Sequence, residues 1–226
     1  MRAQIFRVLP SVMRSPYLHD ALAAGLDKIC ESHHVLPVVN EVLNLVRMVK
    51  DARNIIYTMK IKEFLSPISE VDENVRREFF DELEADEQQF RRFQVSIFTL
   101  VDTCDDIEKA AIMGRIMKAA LQREISLDVS VRVCSMVSRS YVQDLYALKE
   151  SPKNEIWRTI DQAGSLKETY ITSNLESIGF ISHAGIDGGE MSDNGSIMYQ
   201  LNELGGLLIK YGLSEEPYCW NRFWTG

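Results

Sequence analysis

Leu166-Lys167-Glu168-Thr169-Tyr170-Ile171-Thr172-Ser173-Asn174-Leu175-Glu176-Ser177-Ile178-Gly179-Phe180-Ile181 is the stretch whose reading decides the fold. Leu166 to Ile178 is an amphipathic helical pattern that closes on Gly179, and Phe180-Ile181 begins an extended segment. Gly185-Ile186-Asp187-Gly188-Gly189-Glu190 follows as a glycine- and aspartate-rich loop. Ile197, Tyr199 and Leu201 then alternate as a return strand, and Asn202 stands where a helix cap belongs. The order is helix, hairpin, helix.

Two segments give that order a more specific shape. Leu175-Glu176-Ser177-Ile178-Gly179-Phe180-Ile181 and Tyr199-Gln200-Leu201-Asn202-Glu203-Leu204-Gly205 resemble the back half of a winged-helix domain, with Asn202 in place of the usual threonine. Either residue can cap the helix that follows. The resemblance covers roughly the last third of the chain. It implies an architecture more than an activity, because winged helices serve DNA binding and protein docking alike.

Charge separates those two uses. From residue 151 onward five cations face ten anions, a net of −5, and the whole chain carries −8. The candidate recognition helix offers only Lys167, offset by Glu168 and Glu176, and the hairpin tip carries Asp187, Glu190 and Asp193. Phosphate contacts made by Lys and Arg supply most non-specific affinity for duplex, so an acidic wing repels it. The expected partner is therefore a protein, or a second copy of the chain as a homodimer. Nucleic acid is disfavoured, and a DNA-binding transcriptional regulator is the alternative.

Working outward, Ser15 to Glu150 is helical in pattern. Ser15-Pro16 opens a first helix and Pro37 a second; Ile55, Ile56, Met59, Phe64 and Leu65 form a third, which Pro67 is expected to end. Val75, Phe79 and Leu83 mark the buried side of the next, with Arg76 among the residues outside. Phe90, Phe93, Ile97, Leu100 and Val101 follow. Asp105-Asp106 then starts a helix bearing Ala110, Ala111, Gly114 and Met117, where small residues permit a close crossing. Ser126 caps one last helix running through Val133, Val137, Tyr141, Leu145 and Leu148. Short polar joints favour antiparallel neighbours.

Before Ser151-Pro152-Lys153-Asn154 only Gly25 and Gly114 occur, out of twelve glycines, so the boundary is placed there. The expectation is a mainly α protein: an N-terminal helical bundle over 1–150 and a small C-terminal winged-helix-like unit with a β-hairpin over 151–226. Val137–Glu150 is a possible first helix of the second unit.

The bundle also resembles a widespread prokaryotic family often associated with phages and prophages. Its "Lys-x-x-x-Phe-Leu" helix corresponds loosely to Lys60-Ile61-Lys62-Glu63-Phe64-Leu65. Its "Glu-Lys-Ala-x-x-x-Gly-x-x-x-x-Ala" helix corresponds to Glu108–Ala119. What the resemblance implies is a scaffold, with a role in phage–host conflict as the biological setting.

Chemical constellations are sparse. Glu31-x-x-His34 has half the spacing of a di-iron site, but no second copy exists and Pro37 is close by, so a helix end is expected. Asp102-x-x-Asp105-Asp106-x-Glu108 stands where a helix begins, where carboxylates cap free N–H groups, and capping is expected over a cation. Glu82-x-Glu84-x-Asp86-Glu87 reads as a solvated helix face. His19, His33, His34 and His183 join no nucleophile motif, so no catalytic residue, metal or cofactor is expected. Cys30, Cys104, Cys134 and Cys219 are scattered and suit isolated buried thiols in the cytoplasm. An apolar hairpin over Val38–Val49 and Ile55–Leu65 is too charged to favour a membrane. The terminal Trp220, Arg222, Phe223 and Trp224 are the candidate partner-binding residues: three aromatics at i, i+3 and i+4 can clamp their own unit or a second copy.

Overall fold

The computed structural model describes residues 13–14, 55–150, 157–158, 166–187 and 196–213. They fall into two compact units that divide between Cys134 and Ser135. The helices in chain order are α1 (Ile55–Ser69), α2 (Glu73–Glu84), α3 (Glu87–Thr103), α4 (Ile107–Leu121), α5 (Leu127–Arg139) and α6 (Val142–Glu150). Then come β1 (Trp157–Arg158), α7 (Leu166–Ile178), β2 (Ile181–Asp187), β3 (Ser196–Leu201) and α8 (Glu203–Leu207), which a π-helical turn (Leu208–Gly212) extends. The protein is mainly helical with a small C-terminal hairpin, and the second unit has the form of a winged helix.

In the first unit α4 is the central element. Ile107, Ala110, Ile112, Met113, Ile116, Met117, Ala120 and Leu121 are all buried, and such all-round apolarity marks a helix enclosed by others. Its closest neighbour is α1, and the reason is Gly114. A Cβ there would stand 2.2 Å from the Phe64 carbonyl oxygen, so only glycine admits the crossing. Phe64 and Gly114 meet as backbone packing.

The helix starts follow side-chain caps. Asp72, Asp86 and Asp106 accept from the amides of Asn74 (2.8 Å), Gln89 (3.0 Å) and Glu108 (2.8 Å). Ser126 Oγ accepts from Val129 at 3.3 Å ahead of α5. Each satisfies an amide that the helix itself leaves open.

Four sequence expectations need correction. α1 continues past Pro67 to Ser69, because a missing N–H in the last turn forfeits only one intrahelical bond. The buried side of α2 is Arg76, Phe80 and Leu83, while Val75 is exposed and Phe79 half-buried. Arg76 can turn inward because its Nη1 donates to the Met13 carbonyl at 2.9 Å. The acidic run at 82–87 is a joint between α2 and α3, not one face. Last, the long helix after Ser126 is two helices, broken at Ser140-Tyr141. There Ser140 Oγ bonds back to the Met136 carbonyl at 2.9 Å, and Tyr141 is 62% exposed rather than core.

In the second unit the sheet order is β1-β3-β2, antiparallel throughout. Trp157 and His183 both pair with Tyr199, one on each side. A bulge between His183 and Gly185 leaves Ala184 unpaired, and Gly185 takes φ 141° there. β2 runs on to Asp187 opposite Ser196, so the first three residues of the expected loop belong to the strand.

Candidate functional site

The candidate recognition helix, the element before the hairpin, is α7. Its C-terminus is set by Gly179 at φ 99°, a left-handed position that favours glycine. The amides of Gly179 and Phe180 both return to the Leu175 carbonyl, at 3.1 and 2.9 Å. Leu175, Thr172 and Phe180 are buried, which fixes the inner side. Asn174 adds a polar anchor, donating through Nδ2 to the Asp144 carboxylate of α6 at 3.0 Å.

The outer side follows from that anchoring. Tyr170 is 64% exposed, and Ser173 and Ser177 are exposed at the following turns. Glu176 is half-buried and takes a hydrogen bond from the Tyr199 hydroxyl. Burial of the Tyr199 phenol, with the Glu176 charge and that hydrogen bond beside it, raises its pKa above the ordinary value. The His183 ring meets Tyr199 edge-on at a centroid distance of 6.0 Å. Tyr199 thus links helix and hairpin. The side chains described on α7, those of residues 170–178, turn an aromatic ring and hydroxyls outward, and Lys167 lies outside them.

Several cations elsewhere are engaged within the protein. Lys210 lies 4.4 Å from the Tyr211 ring centroid and donates to its hydroxyl at 2.6 Å. Arg139 Nε donates to the Ser135 carbonyl at 3.2 Å. In the first unit Arg14 is held by Glu84 at 2.5 Å and by the Phe80 carbonyl at 3.3 Å. Arg123 pairs with Glu82 at 2.6 Å and Arg91 with Glu87 at 3.6 Å. Arg14, Arg91 and Arg123 are thus each held in a local pair.

A second polar cluster sits where α3 gives way to α4. Lys60 reaches from α1 to the carbonyls of Cys104 and of Asp102, the latter at 3.4 Å, so an ammonium faces the C-terminal end of α3. Asp105 pairs with Lys109, whose side chain is only 2% exposed. Burial alone would raise the Asp105 pKa, but the Lys109 hydrogen bond and charge outweigh it and hold it below the ordinary carboxylate value. Burial pushes the Cys104 thiol up to about 11 despite the two lysines. The acidic run is therefore served by protein ammonium groups and by capping. Among the described residues no group of three His, Cys, Asp or Glu side chains could hold a metal ion.

The chain matches no known family model, no curated protein and no solved structure.

Of the residues expected from sequence to meet a partner, Trp220, Arg222, Phe223 and Trp224 lie outside the described residues, as do Glu190 and Asp193. Asp187 ends β2 in register with Ser196. Tyr170 was the residue that sequence reasoning passed over. Its signal was a lone aromatic among hydroxyls on the helix. No helix among the described residues is long and apolar enough to cross a membrane.

Proposed function

We propose that this protein is a non-enzymatic interaction or regulatory protein whose C-terminal unit docks a protein partner through α7. The observation that carries this reading is the outward face of α7: Tyr170, Ser173 and Ser177, with Glu176 drawn toward the hairpin. Tyrosine supplies a large, rigid, amphipathic contact at small entropic cost, and it is enriched at binding hot spots. A helix made for phosphate would place Arg or Lys there. The sequence resemblance to phage-associated proteins suggests phage–host conflict as the setting, with the cytoplasm as the compartment.

Affinity purification from the source cells, followed by rebinding of the purified partner, tests the proposal. A captured protein, or self-association in sedimentation, should be lost in Tyr170→Glu with helical content unchanged. A monomer that captures nothing contradicts the reading, and so does capture indifferent to Tyr170→Glu.

A further inference from the structure

The first unit carries a concavity of ≈ 390 Å³ between the start of α3 and the start of α5. Phe93, Leu127 and Val131 give it apolar lining, while Arg92 from α3 and Asp128 from α5 contribute charges of opposite sign. Both charged side chains are exposed, and among the described residues neither has a hydrogen-bond or ion-pair partner. A second concavity of ≈ 450 Å³ adjoins it through shared Gln89 and Leu127. There the charges are already matched, since Arg123 meets Glu82 at 2.6 Å. Arg123 does so from φ 59°, a backbone region that non-glycine residues seldom occupy.

We propose that the first concavity binds a small zwitterion with an apolar side chain: a free α-amino acid or a short peptide. Its size is that of ordinary small-molecule sites, roughly 300–1,000 Å³. The planar Arg92 guanidinium suits a carboxylate, which it can grip through two parallel N–H bonds. Asp128 suits the ammonium. Asp86 lines the same space and adds a further negative charge, although one of its oxygens accepts from the Gln89 amide at 3.0 Å. The ligand's side chain would lie against Phe93 and Val131, and a peptide's second residue would extend past Gln89 into the adjoining concavity. This site lies in the first unit and does not depend on partner docking at Tyr170.

Isothermal titration of the full chain with leucine, the dipeptide Leu-Leu, N-acetyl-leucine and leucinamide tests the proposal without any protein partner. The expected result is saturable binding of leucine or Leu-Leu with a dissociation constant of about 0.1–1 mM. N-acetyl-leucine and leucinamide should bind at least about tenfold more weakly. Stronger binding of leucine assigns the site to free amino acids, and stronger binding of Leu-Leu to short peptides. Arg92→Gln should remove the penalty for leucinamide, and Asp128→Asn that for N-acetyl-leucine. Both positions are exposed, so an unchanged melting curve is expected. No saturable heat with any probe up to about 20 mM overturns the proposal, as does binding that both substitutions leave unaltered.

Discussion

Asn202 joins the end of one helix to the start of another: its Nδ2 donates to the Gly179 carbonyl at 2.6 Å while its Oδ1 accepts from the Gly205 amide at 3.0 Å. Gly179 closes α7 and Asn202 opens α8, so one amide side chain sets the spacing of the two. Asn202→Ala removes both bonds. The cap is worth about 1 kcal/mol and the second bond about as much again. Hydrogen exchange at the Tyr199 and His183 amides should accelerate accordingly. Asn202→Thr, which keeps an acceptor, should recover about half, and equal exchange in all three proteins contradicts this account.

Close backbone approach makes a second prediction. A Cβ on Gly114 would meet the Phe64 carbonyl oxygen at 2.2 Å, and one on Gly205 the Phe180 carbonyl oxygen at 2.3 Å. Neither neighbour can rotate away as a side-chain tip could. Gly114→Ala and Gly205→Ala should each cost about 3 kcal/mol or more by denaturant unfolding. Gly206→Ala is the control, because nothing lies within 4 Å of a Cβ there. It should be neutral or stabilising by up to about 1 kcal/mol.

The thiols give a chemical test. Cys104 and Cys134 are free and buried, and burial raises the pKa of both, that of Cys104 to about 11. In a variant with Cys30→Ser and Cys219→Ser, a disulfide reagent at about pH 8 should find no reactive thiol in the native protein. Full reaction of both is expected in denaturant. Rapid native labelling of Cys104 would show that the α3–α4 corner opens readily.

Acid should weaken the same corner. The Asp105 pKa is lowered in the folded state, so its contribution is fully present above the unfolded value of about 3.9 and is lost as pH falls through the folded value. Wild type should therefore exceed Asp105→Asn in stability at neutral pH and converge with it at strongly acid pH. Since Asp105 is 68% exposed, solvent screening keeps the difference small. A constant gap across that range would mean that the charge plays no part.

How far the sequence revealed all this depended on whether a feature was local. Caps at Asp106, Ser126 and Asn202 were legible because each serves amides two or three residues away. Gly179 and Gly114 were legible as a helix stop and a close crossing. Arg76 was misplaced because its justification, the Met13 carbonyl, lies 63 residues away. Pro67 and Tyr141 misled for the opposite reason: a strong local rule was applied without the neighbours that relax or break it. At the candidate site, the single cation of α7, Lys167, and its offset by Glu168 and Glu176 could be read from charge alone. The inward turn of Glu176 toward Tyr199 required the fold.

The central claim is that α7 presents a protein-docking surface rather than a phosphate-seeking one. Its most direct test is the binding of fluorescent duplex DNA by the full chain at low salt, about 50 mM, followed with rising salt. The account predicts no saturable binding at micromolar protein. Binding that falls steeply with salt, and that Lys167→Glu abolishes, would contradict it.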